Sequence, residues 1–145
     1  GGLSAPMWSQ WSVEWLTVIY ESGYRFDQFV KTASFPPQFH QNWARGNVVD
    51  SLDRQVGFKA TTSINIQGSM SQDINITIGS DDGSKLWVDG NLLIDNWDTH
   101  SYRTKSATLA LNPGLHALEL HFFEWSADAE VSFDTNPAKI FASCS

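Results

Sequence analysis

Apolar residues along this chain recur at every second position, and that period predicts strands. The clearest run is Ile74, Ile76 and Ile78 alternating with Asn75, Thr77 and Gly79, which makes one face apolar and the other wet. Val56, Phe58 and Ala60 alternate with Gly57 and Lys59, and Ile64 and Ile66 alternate with Asn65 and Gln67. Farther on, Ala107, Leu109 and Leu111 share one face of a strand. Leu118, Leu120 and Phe122 share one face of the next, opposite Glu119, His121 and Phe123. Val131 and Phe133 point inward from a last strand, and Val13 to Tyr20 reads as the first, closing at Glu21-Ser22-Gly23.

Turn chemistry separates these runs. Asp81-Asp82-Gly83 and Asp89-Gly90 bracket a short strand from Lys85 to Val88, and Asn112-Pro113-Gly114 suits the middle of another turn. Two segments are less regular. Tyr24 to Val30 fits either a short strand or a helical turn. Lys31 to Arg54, interrupted by Pro36-Pro37, predicts a long irregular loop with one helical turn, pinned to the body by Phe35, Phe39 and Trp43. Eight or nine short strands without a long helix predict an all-β antiparallel sandwich or barrel. The chain reads as one domain over residues 1–145. Residues 1–12 form a flexible or loosely packed N-terminal segment in which Trp8 and Trp11 either tuck in or lie loose, and residues 137–145 form a C-terminal tail holding Ile140 and Phe141.

Composition narrows the partners. The 16 acidic residues against 9 basic give a net charge of -7, so a phosphate backbone meets repulsion and nucleic acid is not an expected partner. No apolar run reaches the roughly 20 residues of a membrane span, so no membrane insertion is expected. With one cysteine, Cys144, neither an internal disulfide nor a cysteine zinc cage can form; the thiol is free or bridges to a residue elsewhere.

Two adjacent carboxylates in a tight turn repel each other, and a hard cation relieves that repulsion. Calcium accepts about 6 to 8 oxygens in irregular geometry, so Asp81 and Asp82 need further ligands from a neighbouring loop. The acidic loop Glu124 to Asp128 is the best source. The plainer alternative is a hairpin turn whose aspartates accept backbone N–H groups. His40, His100, His116 and His121 show no paired metal spacing. Neither a Gly-x-Ser-x-Gly elbow nor a phosphate-cradling loop is present.

The ordered series Ser80-Asp81-Asp82-Gly83, Val88-Asp89-Gly90, Ile94-Asp95-Asn96-Trp97 and Pro113-Gly114-Leu115-His116, followed by Leu118 to Glu124, resembles the PA14 domain from about Val56 to Asp134. The resemblance implies a β-sandwich or barrel-like module of secreted and cell-surface proteins. In its sugar-binding members a cis-linked aspartate pair holds a calcium ion that coordinates vicinal sugar hydroxyls, and a second loop adds ligands. Carried onto this chain, the metal ligands are Asp81, Asp82, Glu124, Ser126 and Asp128, where the sugar binders often place an Asn at or beside Glu124. Ser126 would act through its backbone carbonyl as readily as Asp128 through its side chain. The sugar-contacting residues would be Asp81 and Asp82 through calcium, with Trp125 and Tyr102 as rim aromatics. Trp125 fits rim and core equally, whereas Trp87 and Trp97 are expected in the core.

The expected function is therefore non-catalytic, calcium-dependent recognition of a glycan or glycoprotein surface, outside the cell, within a larger multidomain chain. The alternative is a structural spacer of a surface protein or glycosidase, with no ligand of its own.

Overall fold

The period-2 segments become ten strands in a computed structural model that describes residues 10–136. They are β1 (Trp11–Tyr20), β2 (Tyr24–Phe35), β3 (Phe39–Ala44), β4 (Val56–Ile66), β5 (Gln72–Asp81), β6 (Gly83–Val88), β7 (Asn91–Asn96), β8 (Arg103–Leu111), β9 (Gly114–Glu124) and β10 (Ala129–Asn136). A six-stranded sheet runs β2-β1-β4-β9-β6-β7, and a four-stranded sheet runs β3-β10-β5-β8, with every pair antiparallel. The expected all-β sandwich is what forms. Expectations for Trp8, Ile140, Phe141 and Cys144 lie outside the described residues.

The inner faces supply the core. Val56, Phe58, Ala60 and Ile64 of β4 and Leu118, Leu120 and Phe122 of β9 meet Ile74, Ile76 and Ile78 of β5 and Val131 and Phe133 of β10, all buried. Each such large side chain contributes about 1.5–3 kcal/mol by leaving water, which is why alternation alone fixes which face turns inward. Trp11 is fully buried, edge-on to Phe133 at 4.9 Å, and its indole N–H donates to the Pro37 carbonyl at 3.0 Å. The chain is thus anchored from Trp11 onward, which is the tucked-in alternative for that residue.

Three features differ from the sequence pattern. Tyr24 to Val30 is strand, and β2 continues through Phe35; with β3 following, the irregular stretch expected over 31–54 narrows to residues 45–55. The helical turn expected there is absent, and the described residues contain no helix. β2 is an edge strand with mostly exposed side chains, so backbone bonding to β1 holds it without an alternating apolar face. The aromatics do pin this region: Phe35 and Phe39 are buried and Trp43 packs edge-on to Trp15 at 5.8 Å.

The third difference concerns Trp87 and Trp97, which are half-buried outside the main core. β1 carries register shifts at Leu16, and beyond them the β1–β2 hairpin lies against the outer face of the larger sheet. Phe26 sits so close to Gly57 that a Cβ there would lie 3.0 Å from its ring. Tyr24 stacks on Phe123 at 4.5 Å, Trp97 meets Phe123 at 4.7 Å and Phe26 at 5.6 Å, and Trp87 meets His121 at 4.5 Å. These rings form a second aromatic layer.

Strand direction places the connections. The turn at Asp82, the loops 97–102 and 125–128, the stretch 45–55 and the tip of the β1–β2 hairpin all lie at one end of the sandwich. The 67–71, 89–90 and 112–113 turns lie at the other.

Candidate metal centre

At the first end, β5 delivers Asp81 from the smaller sheet and β6 leaves from Gly83 in the larger one, so Asp82 spans the gap between sheets. The Asp81-Asp82 peptide is cis. Gly83 is required by packing, since a Cβ there would lie 2.2 Å from the Phe123 ring. Glu124 ends β9, inner-facing like Phe122 and opposite Val56, and is fully buried.

One carboxylate oxygen from each of Asp81, Asp82 and Glu124 lies within 4.8 Å of the others. Asp82 is tied down on both sides: Oδ1 accepts the His100 backbone N–H at 3.1 Å and Oδ2 the Trp125 backbone N–H at 2.8 Å. Its own N–H donates to the Phe123 carbonyl at 3.1 Å. Asp82 thereby fastens the loops 97–102 and 125–128 to the turn. Among the described residues, Asp81 and Glu124 have no such backbone donors. Both oxygens of Glu124 are buried without a hydrogen-bond partner.

An unpartnered buried carboxylate is among the costliest groups a fold can hold, and it survives by taking a proton or a cation. Burial first, and then the Asp82 carboxylate, push Glu124 up to about 10. Burial and Asp82 likewise raise half-buried Asp81 to about 7, with Asp128 and Glu130 adding smaller repulsions. Among the described residues, no lysine or arginine forms an ion pair with Asp81, Asp82 or Glu124. Three carboxylates of different depth, offering unpaired oxygens in irregular array, fit a hard divalent ion such as calcium: Asp81, Asp82 and Glu124 would hold it, with remaining positions filled by carbonyls, water or ligand.

The other expected residues fall around this cluster. Ser126 is exposed on the 125–128 loop, and exposed Asp128 forms an ion pair with Arg45 at 3.5 Å. Trp125 presents its backbone to Asp82 while its half-buried ring meets Tyr24 edge-on at 5.2 Å. Tyr102 lies on the outer face of the smaller sheet, over Gly79, with its hydroxyl 2.7 Å from Ser132 Oγ and its ring stacked on His40. It is not gathered with the carboxylates. The sequence reading missed the backbone donors of His100 and Trp125, which no side chain announces, and Tyr24, whose only signal was an aromatic beside the Ser22-Gly23 turn.

Among solved structures, an anti-sigma factor domain-containing protein superposes with a TM-score of 0.73 at 21% identity, covering 86% of this chain and 42% of that one. An anti-sigma factor domain-containing protein from Clostridium clariflavum gives 0.72 at 19% identity, covering 92% and 43%. The chain thus spans less than half the length of both. The PA14 sugar-binding domain from an RTX adhesin gives 0.58 at 12% identity over 88% of this chain and 89% of that one. At these identities the likeness is one of fold. No curated protein sequence matches. A profile of the PA14 domain matches residues 54–139, more than half of the sequence and including every residue of the carboxylate cluster, so the chain belongs to the PA14 domain family.

Proposed function

We propose that this domain is a non-catalytic, calcium-dependent carbohydrate-binding module of a secreted or cell-surface protein. The observation that carries the reading is Glu124, whose two buried oxygens have no partner and face Asp81 and Asp82. A cation would turn three mutually repelling groups into ligands. Half-exposed Asp81 leaves one side of that cation reachable from solvent, where sugar hydroxyls would complete the shell. The sugar-binding adhesin domain with the same fold supports this choice of ligand.

Catalysis by these carboxylates is disfavoured by their burial. Glycosidases set two carboxyl groups on either side of a scissile bond, whereas here Glu124 is fully buried and both oxygens of buried Asp82 are engaged by backbone N–H groups. A second reading is a spacer module whose calcium only fastens loops. Asp82 favours it, because its hydrogen bonds already join two loops to the turn.

Calorimetry distinguishes the two. Binding of neutral sugars at millimolar concentration in calcium, abolished by chelator, is expected. Calcium binding with no heat from any sugar would leave the spacer reading in place.

A further inference from the structure

Beside the carboxylates runs a strip of aromatic rings that calcium coordination does not use. Trp125 meets Tyr24 edge-on at 5.2 Å, and Tyr24 meets Tyr20 edge-on at 4.9 Å. Tyr24 lies flat on Phe123 at 4.5 Å, and its carbonyl accepts the Trp97 indole N–H at 2.9 Å, so its ring is held from below. The hairpin tip is closed by the Glu21 N–H to the Gly23 carbonyl at 2.8 Å, with Ser22 and Gly23 at positive φ. Register fixes where the tip stands. Thr17 pairs with Val56, and Val56 with Glu124, so Tyr20 extends beyond the end of β9 on the side where the carboxylates lie. Despite its size, Tyr20 is 61% exposed.

We propose that Tyr20, Tyr24 and Trp125 form an aromatic subsite for the second ring of an oligosaccharide whose first ring sits on calcium. This rests on the carbohydrate-binding reading above. A pyranose has an apolar face of C–H groups and an edge of hydroxyls. A tyrosine offers the matching apolar ring with a polar tip, and a preformed ring loses little entropy on contact. Steps of 5.2 and 4.9 Å between the edge-on rings let the strip reach up to about 10 Å from Trp125 to Tyr20, far enough to meet a ring beyond the one on calcium. The strip is anchored at Trp125, whose N–H is bound to Asp82, so an occupied metal centre and the aromatic strip share one rigid connection. Tyr102, packed over Gly79, takes no part.

The test uses calorimetry on the calcium-loaded protein with methyl glucoside, methyl galactoside and methyl mannoside, and with cellobiose, lactose and mannobiose. At least one disaccharide is expected to bind about tenfold more tightly than its monosaccharide, as one or two ring contacts would give. Tyr20→Ala is expected to remove most of that gain, and Tyr20→Phe to keep it. Tyr20 is exposed enough that neither should disturb folding, which an unchanged calcium affinity and melting temperature would verify. Disaccharides that bind no better than monosaccharides, or a gain that survives Tyr20→Ala, would overturn the subsite and leave calcium-dependent sugar binding standing. Calcium binding with no response to any of the six sugars would overturn both.

Discussion

Two aspartate turns lie seven residues apart in this chain and have opposite electrostatics. At the far end, Asp89 is satisfied on every side: Oδ1 accepts the Ala117 N–H at 2.8 Å, and Oδ2 lies 2.6 Å from His116 Nδ1. The other imidazole nitrogen lies 2.7 Å from the Asn112 carbonyl, so a protonated ring can donate to both acceptors. The His116 hydrogen bond pulls Asp89 below its usual range. Burial, which alone would lower His116, is outweighed by its bonds to Asp89 and Asn112, and its value rises. At the other end, Asp81 and Glu124 are pushed up because they are buried against another carboxylate. A lowered carboxylate pKa marks a turn whose charge is already partnered, and a raised one marks carboxylates that face only burial and like charge.

The largest expected break in this contrast is at Glu124. Glu124→Gln or Asp81→Asn should lower calcium affinity by about a hundredfold, or roughly 2.7 kcal/mol, by calorimetry. Calcium is expected to raise the melting temperature of the parent protein, and that rise should vanish with the affinity. Retention of full calcium affinity in both variants would move the metal centre elsewhere.

The next is pH dependence. Asp81 at about 7 and Glu124 at about 10 sit above their ordinary 3.8 and 4.5, so the metal-free fold holds protons that the unfolded chain releases. Its stability should therefore fall as pH rises from about 4 through 7 and on toward 10. Calcium held by these carboxylates would displace those protons, so its affinity should climb over the same interval. Denaturant midpoints at pH 5 and pH 8, in chelator and in calcium, provide the measurement; equal midpoints in chelator would contradict it.

A smaller effect is expected at the far turn. Asp89→Ala removes two acceptors and should cost about 1–2 kcal/mol of stability with calcium affinity unchanged. Its stabilisation should be present above about pH 3.8 and lost as pH falls through the lowered value. The part contributed by His116 is full below about 6.5 and lost as pH rises through its raised value. His116→Gln should cost least, about 0.5–1 kcal/mol, because one neutral donor can still serve Asp89. Coupling between Asp89→Ala and His116→Gln in a double-mutant cycle checks that the two act together.

The strands were legible because burial on one face of a sheet writes period 2 into sequence, as at Ile74, Ile76 and Ile78. β2 was not, because an edge strand held by backbone bonds can carry Arg25, Asp27 and Lys31 without penalty. Trp87 and Trp97 were misplaced for a related reason. Hydrophobicity announces burial but not which face, and here the bent β1–β2 hairpin provides a second layer. His116, which shows no paired metal spacing in the sequence, acquires its role from Asp89 and Asn112, which only the turn geometry brings to it.

By itself the sequence determined the all-β class, most strand positions, and the acidic pair at Asp81-Asp82, since alternation and turn residues act over a few neighbours. Only the tertiary structure decided that Glu124, far along the chain, points inward beside that pair with both oxygens unpaired, while Asp128 turns to Arg45 and Tyr102 to Ser132. The physical reason is that a carboxylate's role depends on which donors surround it. Here those donors are backbone N–H groups of His100 and Trp125, identical in every residue and placed only by the register of the two sheets.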